Sequence, residues 1–362
     1  MHNDWADFVG RPPVAVDESL ASLVVRDRRV LITGAGGSIG SGLAFAALLG
    51  KPRALVLLDL SESALYGTYQ NLSISPALAG VEVVPITGSV ADGRLLTHLF
   101  RQYRVDLILH TAAYKHVPLM ENNPFSALAN NSIGTYRLVS AALEAGVPSL
   151  TLLSTDKAVD PQSIMGVSKR IAELIVLSHA TELHRMNGIR LGNVLGSSGS
   201  VAPIFQEQVM HGRPLTVTHP EASRYFLTQA EAEVSIFSAA ASPQSGSMFI
   251  ADCGAPIRIV ELARYMSKGG PGVKFIGLRP GDKLHEELIA GDEQIAAECF
   301  RGMRVVASPS PKAATIASAI NKLESAVNKF SYSEMIAVVQ ELVPSYQPPD
   351  LSASYAATAE AR

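Results

Sequence analysis

Cysteine is nearly absent: Cys253 and Cys299 are the only two in 362 residues. Two thiols exclude a disulfide framework and a Cys-rich zinc site, and no metal is expected. Charge is sparse too, at 17% of residues against a usual ~25%. Lys and Arg total 30 and Asp and Glu 33, so the net charge is −3. No basic excess marks a nucleic-acid partner. No apolar run reaches ~18 residues, so a membrane span is not expected. The opening Met1-His2-Asn3-Asp4-Trp5 carries an acid and no apolar core, unlike a secretory signal. These absences point to a soluble, reducing, cytoplasmic setting. What is plentiful is apolar: 47% of residues, ample for a buried core. At roughly 100–200 residues per domain, the length suits about two domains, or one large α/β domain with an appendage.

Short apolar β-rich runs alternate with helical stretches. Strands are expected at Arg29–Thr33, Ala54–Leu58, Val81–Ile86, Val105–His110, Ser149–Leu153 and Gly188–Gly192. Helices are expected between them, the last three near Gly93–Tyr103, Pro124–Ala145 and Ile164–Met186. Strands spaced by helices of this length indicate βαβ units and a doubly wound parallel sheet, the Rossmann arrangement. Residues 29–195 read as this dinucleotide-binding domain. Residues 1–28, interrupted by Arg11-Pro12-Pro13, read as a lead-in segment outside the core. Residues 196–345, with short elements at Leu215–Thr218 and Ile257–Met266, read as a smaller α/β portion over the sheet's carboxyl edge that binds substrate. Residues 346–362, rich in Pro, Ser and Ala, read as a flexible tail.

Thr33-Gly34-Ala35-Gly36-Gly37-Ser38-Ile39-Gly40 joins the first strand to the first helix. Its spacing is G-x-x-G-x-x-G, with Ile39 where the last glycine of G-x-G-x-x-G would stand. Glycines permit a tight turn and close backbone approach, and a helix N-terminus receives pyrophosphate. A plain tight turn would use the same residues. Asp59 ends the second strand, 19 residues after Gly40, where an acid can bind the adenosine ribose hydroxyls. Leu60 follows, with no basic group for a 2′-phosphate, which favours NAD over NADP.

Ser154-Thr155-Asp156-Lys157 sits at the end of the fifth strand, on the edge that faces the ligand crevice in an open α/β sheet. Met165 and Lys169, at i and i+4, share one helix face. On residue type alone, Asp156 and Lys157 could equally be a solvated loop pair, and Met165 core filler.

The motifs TGAGGSIG (33–40), AAYKHVPLMENNP (112–124), STDKAV (154–159), MGVSKR (165–170), RLGNVLGSSGSV (190–201), TVTHPEASRYF (216–226) and RPGDKLHEEL (279–288) stand in order. Together they resemble the CapD-like polysaccharide-biosynthesis branch of nucleotide-sugar 4,6-dehydratases, within the extended short-chain dehydrogenase/reductases. The resemblance runs from about Gly10 to Pro344. Most of that superfamily carries Tyr-x-x-x-Lys, with Tyr as acid/base and Lys on the ribose. Met165 stands at the Tyr position, and a thioether cannot exchange a proton. The CapD-like branch includes dehydratases with this Met, typified by those acting on UDP-N-acetylglucosamine.

The resemblance implies a redox-neutral reaction: oxidation at sugar C4, loss of water across C5–C6, and hydride return to C6. Lys157 would be the C5 base, neutral through the nicotinamide charge, Lys169 and burial. Asp156 would be the acid at the C6 oxygen, and Thr155 would bond the C4 oxygen. The acceptor of the C4 hydroxyl proton stays open between Asp156 and Lys169 acting through ribose and water. Cofactor residues implied are Gly34, Gly36, Gly37, Ser38, Ile39, Gly40, Asp59, Leu60, Ser89, Val90, Ala112, Ala113, Lys115, Asn131 and Lys169. Substrate residues implied are Lys115, His116, Asn193, Val201, Arg224, Arg279 and Glu286. Arg224 and Arg279 would fork onto the diphosphate, and Glu286 onto the uridine ribose.

Three features depart from the family's pattern. Ser89 replaces the Asp that usually holds the adenine amine, and Leu60 replaces a frequent Arg. Relatives often carry membrane spans upstream of Arg11, so this chain reads as a stand-alone soluble version. A nucleotide-sugar epimerase and a non-catalytic NAD-binding sensor or scaffold are the alternatives. The base, the sugar and the C5 stereochemistry stay open. Pairing into a homodimer or larger homo-oligomer is expected through the helices near 124–145 and 164–186.

Overall fold

The computed structural model describes residues 5–296 and 299–348. Strands β1 (Arg29–Thr33), β2 (Ala54–Asp59), β3 (Glu82–Thr87), β4 (Leu107–His110), β5 (Ser149–Thr155) and β6 (Arg185–Leu191) pair in parallel, in the order 3-2-1-4-5-6. The Val, Ile and Leu runs of β1, β2 and β4 suit strands covered on both faces. Successive residues divide between the faces: Leu31 joins the apolar cluster with Ile108, Leu138 and Ile175, while Ile32 joins the other with Leu43, Leu55 and Phe237. Helices α1 (Glu18–Val25), α2 (Ser38–Leu49), α3 (Glu62–Ser73), α4 (Gly93–Tyr103), α5 (Gly134–Glu144) and α6 (Ile164–Ser178) supply the layers. Because β1 pairs with β2 on one side and β4 on the other, the winding reverses there. A ligand crevice opens at the carboxyl ends of those strands.

Several expectations are corrected. The segment before Arg29 is not a lead-in: α1 buries Leu20, Ala21, Val24 and Val25. Arg11 clasps Glu231 at 2.6 Å and donates to the carbonyls of Cys253 and Phe226, each at 2.8 Å. The short helix Trp5–Val9 carries Phe8 onto Phe226 and Tyr265, at ring-centroid distances of 6.0 and 5.0 Å. The helix expected over Pro124–Ala145 is interrupted by a π-helical stretch, Ala129–Ile133. Helix α6 ends at Ser178, where the Nδ1 of His179 meets the Ile175 carbonyl oxygen at 2.8 Å. Met186 lies in β6 instead.

The expected boundary at 195 also fails. β7 (Met248–Ile250) adds parallel to β6, and β8 (Gln294–Ile295) and β9 (Arg304–Ala307) continue antiparallel, giving one nine-stranded sheet. The cap is a smaller cluster around Leu195, Phe205, Leu215, Val217, Phe226 and Leu262. It is built on α7 (Val201–Met210) and α9 (Ile259–Ser267), while α8 (Gln229–Ala240) packs with the sheet. The hairpin of α10 (Ala313–Asn328) and α11 (Tyr332–Leu342) places Ile316, Ile320 and Leu323 in one cluster with Val139, Ile171 and Ile175 of α5 and α6. The hairpin thus packs against the region expected to meet a second subunit. Tyr346, assigned to a flexible tail, is 1% exposed in that cluster, and the tail from Pro349 lies outside the described residues. Among the described residues no helix is long and apolar enough to cross a membrane.

Candidate active site

The dinucleotide side is made by backbone. Gly34 sits at φ +70°, and a Cβ there would lie 2.7 Å from the Ala112 nitrogen. Its absence lets the turn after β1 touch the turn after β4. A Cβ on Gly40 would lie 2.1 Å from the Gly34 carbonyl oxygen, so α2 nests directly on the turn. Gly37 caps α2, and Ser38 and Ile39 open it toward the crevice, presenting the helix's positive end. Asp59 accepts from the N–H groups of Gly36 and Ser61, both at 2.8 Å. Leu60 beside it is 57% exposed. Ser89 accepts from the Ala91 N–H at 3.1 Å, Val90 is buried, and Ala112 and Ala113 are half-buried. A turn with no room for Cβ atoms, a helix N-terminus and a strand-end carboxylate fit a dinucleotide.

Asn131 serves this side indirectly. Its amide brackets Tyr114, accepting from the N–H at 2.8 Å and donating to the carbonyl at 2.9 Å, and also donates to Ser168 Oγ at 2.9 Å. The π-helical stretch turns it inward, and it braces the loop that carries Ala112 to His116. Lys115 Nζ donates to Ser197 Oγ at 3.5 Å. A Cβ on Gly199 would lie 2.2 Å from the His116 ring. The loop of Gly196–Ser200 also meets Ser38: the Ser198 N–H donates to Ser38 Oγ at 3.0 Å. It therefore spans from the N-terminal end of α2 to Lys115 and His116, and Val201 opens α7 behind it.

The chemical side gathers at the end of β5. Asp156 is fully buried. Its Oδ1 accepts from Thr155 Oγ1 at 2.9 Å and from Lys157 Nζ at 3.0 Å, while its Oδ2 is buried with no hydrogen-bond partner. Thr155 thus orients Asp156 rather than holding its hydrogen free for a ligand. Lys157 Nζ also donates to Asn193 Oδ1 at 3.0 Å and lies 3.4 Å from Glu286 Oε1. Glu286 therefore stands beside the lysine, not at a nucleoside ribose site as expected. Arg224 is corrected as well. Its guanidinium donates to the carbonyls of Ser223, Lys283 and Leu284 at 2.7–3.1 Å and its Nε lies 3.5 Å from Glu286. It braces the segment that delivers Glu286 and has no fork left for phosphate. Arg279 is half exposed and pairs with Asp282 at 2.9 Å in its own turn.

Charge follows from this packing. Burial pulls Lys157 down, but Asp156 and Glu286 pull it up harder, with Arg224 opposing; the net direction is upward. The expectation of a lowered lysine is overturned for the ligand-free site: two carboxylates keep the ammonium. Lys169, one turn past the buried Met165, donates to the Leu153 carbonyl at 2.6 Å. Burial lowers it to about 8, with Glu173 opposing. His110 bridges Thr33 and Thr135 at 2.7 and 2.9 Å, and burial, helped by Lys169, lowers it to about 3.

Sequence reasoning missed what lies behind this site. Arg190, fully buried in β6, donates to Glu173 at 2.8–2.9 Å, to Glu293 at 2.6–2.7 Å and to the Leu288 carbonyl at 3.1 Å. Ser154 Oγ donates to Glu173 at 2.6 Å. The cluster ties β5, just before Thr155, to the segment just after Glu286. Burial opposes the Glu173 charge, yet Arg190 and Arg170 hold it at about 2. The available signal was an arginine inside an apolar strand, which must find buried partners.

The sequence profile of the family described as "Polysaccharide biosynthesis protein" matches residues 30–308. The chain belongs to that family. The chain is also similar to the capsular polysaccharide biosynthesis protein CapD of Staphylococcus aureus, 39% identical over 82% of this chain. The chain spans about half the length of that relative, 51%. Among solved structures, Pen from Bacillus thuringiensis is 28% identical with a TM-score of 0.72, covering 80% of this chain and 92% of its own. DesIV of Streptomyces venezuelae, a dTDP-glucose 4,6-dehydratase with NAD and TYD bound, shares the fold at 24% identity. Its TM-score is 0.64, over 73% of this chain and 88% of its own. The family expected from the motifs and the Rossmann fold are thereby established.

Proposed function

We propose that this polysaccharide-biosynthesis family member is an NAD-dependent nucleotide-sugar 4,6-dehydratase acting on a UDP-N-acetylhexosamine such as UDP-N-acetylglucosamine. One observation carries the reading. A buried carboxylate with one oxygen lacking any partner, Asp156 Oδ2, is hydrogen-bonded through its other oxygen to an amine at the mouth of a dinucleotide crevice. That is an acid and a base side by side, where a redox-neutral dehydration needs both. The glycine turn, α2 and Asp59 would hold NAD, which when bound supplies the hydride acceptor at C4 and the donor at C6.

Asp156, hydrogen-bonded to Lys157, takes the proton of the C4 hydroxyl. It then gives that proton to the C6 oxygen as water departs. Lys157 removes the C5 proton, which the C4 ketone has made acidic. Met165 holds no exchangeable proton and serves as wall. Lys169, near 8, would hold the cofactor ribose. Arg279 is left as the candidate guanidinium for the diphosphate, and the loop Gly196–Ser200 as a cover over the phosphates.

Incubation of NAD-loaded protein with UDP-N-acetylglucosamine in heavy water tests this. The expected product is the 4-keto-6-deoxy sugar with solvent deuterium at C5. A 4-epimer formed without water loss would replace the reading with an epimerase. Tight NAD binding with no turnover of any nucleotide sugar would replace it with a sensor.

A further inference from the structure

We infer that Glu286 receives the proton Lys157 must shed before it acts as base, and returns it at the end of the cycle. The inference rests on the dehydratase reading and deepens it. Elimination needs Lys157 as a neutral amine and Asp156 as a neutral acid at one moment. In the ligand-free site the lysine is an ammonium between two carboxylates. A direct transfer from Lys157 to Asp156 would satisfy both requirements, but it would leave the C4 hydroxyl proton with no acceptor. Once Asp156 takes that proton, the excess proton on Lys157 needs a third site.

Glu286 has the geometry for it. It is 6% exposed, and its Oε1 stands 3.4 Å from Lys157 Nζ. Its Oε2 is buried with no hydrogen-bond partner, which leaves an oxygen open to a proton. The backbone that carries Glu286 is tied down by the Ser223–His285 bridge and by Arg224. The other charged or titratable groups around it are few. Arg224 Nε is 3.5 Å from Oε1 and Lys283 Nζ 3.9 Å from Oε2, and Lys283 donates to the Val159 carbonyl at 2.6 Å. His285 is bonded to Ser223 Oγ at 2.8 Å. Cys253, coupled to Asp156, is pushed by burial up to about 12 and stays a thiol. Asn193 is neutral.

The proton count closes. Asp156 takes the C4 hydroxyl proton as hydride leaves C4. Lys157 passes a proton to Glu286 and becomes an amine. The C5–H bond then breaks, its proton going to Lys157 and its electron pair forming the C5–C6 double bond as the C6–O bond breaks. Asp156 protonates that oxygen and water leaves. Hydride addition at C6 gives an enolate, Lys157 returns a proton to C5, and Glu286 restores the ammonium. Asp156 and Glu286 end as carboxylates, with one water lost.

The test is Glu286→Gln, which keeps shape and removes the proton site. Expected is C4 oxidation within about threefold of the parent, read as NADH absorbance in a single turnover. Overall kcat should fall about 10²-fold at pH 7 and recover about tenfold per pH unit as solvent base replaces the carboxylate. A purely electrostatic role predicts the reverse. Loss of a negative charge eases deprotonation of Lys157, so an unchanged or raised kcat at pH 7 overturns the inference. A second readout needs no turnover: the pH dependence of Lys157 acetylation by trace acetic anhydride, read by peptide mass spectrometry. Glu286→Gln should move it to lower pH; an unmoved profile also overturns the inference. If the parent turns over no nucleotide sugar, the dehydratase reading falls, while the labelling still decides the Lys157–Glu286 pair. Glu286→Asp, labelled in parallel, serves if the Gln variant does not fold. It should show a smaller shift in the same direction, and no shift overturns the pair.

Discussion

The two halves of the crevice are built in opposite ways. The dinucleotide half is backbone: Gly34, Gly37 and Gly40 lie within one turn and the start of one helix, and its one side-chain carboxylate, Asp59, is bonded to Gly36 N–H. The chemical half is side chain. Asp156 and Lys157 leave β5, Asn193 follows β6, and Glu286 arrives from far along the chain, braced by Arg224. A site made from backbone tolerates few changes of residue size. One made from side chains depends on distant anchors holding each group to within a fraction of an ångström.

The largest effect should separate the halves outright. Lys157→Ala should lower turnover about 10⁴-fold and leave NAD binding intact by fluorescence titration; full activity would remove Lys157 from its role. Next comes the anchor of the chemical half. Arg190→Met leaves Glu173 and Glu293 buried with Arg170 as their one remaining cation and should cost about 3 kcal/mol in urea unfolding. The dinucleotide half should then respond alone to Gly40→Ala. Its methyl meets the Gly34 carbonyl, so about 1–3 kcal/mol is lost along with NAD affinity, while Lys157 labelling is unchanged.

Acid should expose the buried groups in order. His110, held at about 3 against an ordinary 6.5, cannot take the proton that the unfolded chain takes. Stability therefore declines as pH falls from 6.5 toward 3. Glu173, held at about 2 against 4.5, contributes fully above 4.5, and its contribution is lost as pH falls toward 2. His110→Gln should flatten the first window and spare the second, read by unfolding at a series of pH values. The smallest effect is expected at the cover. Ser198→Ala keeps the N–H bond to Ser38 and loses only the hydroxyl contact, so NAD should dissociate no more than about tenfold faster.

Much of the fold was legible because each strand's apolar run and each helix's period are local. Gly93–Tyr103 came out as expected, and the strands did so within a few residues. Helix α6 ran short of its expected end because Met186 was drawn into β6, a long-range pairing. The boundary at 195 failed for the same reason, since β7 to β9 return to the same sheet. In the site, Asp156 and Lys157 were legible from their place at a strand's end. Arg224 and Glu286 were not, because an isolated Arg or Glu carries no record of its partner.

By itself the sequence determined the winding of the sheet, the glycine turn with Asp59, and the adjacency of an acid and an amine, since all three are consequences of near neighbours along the chain. Only the tertiary structure decided which carboxylates surround that amine, which arginine is spent as a brace, and that the terminal hairpin packs on the helices expected to pair. Those outcomes depend on which distant surfaces meet, and burial then sets the charge each group keeps.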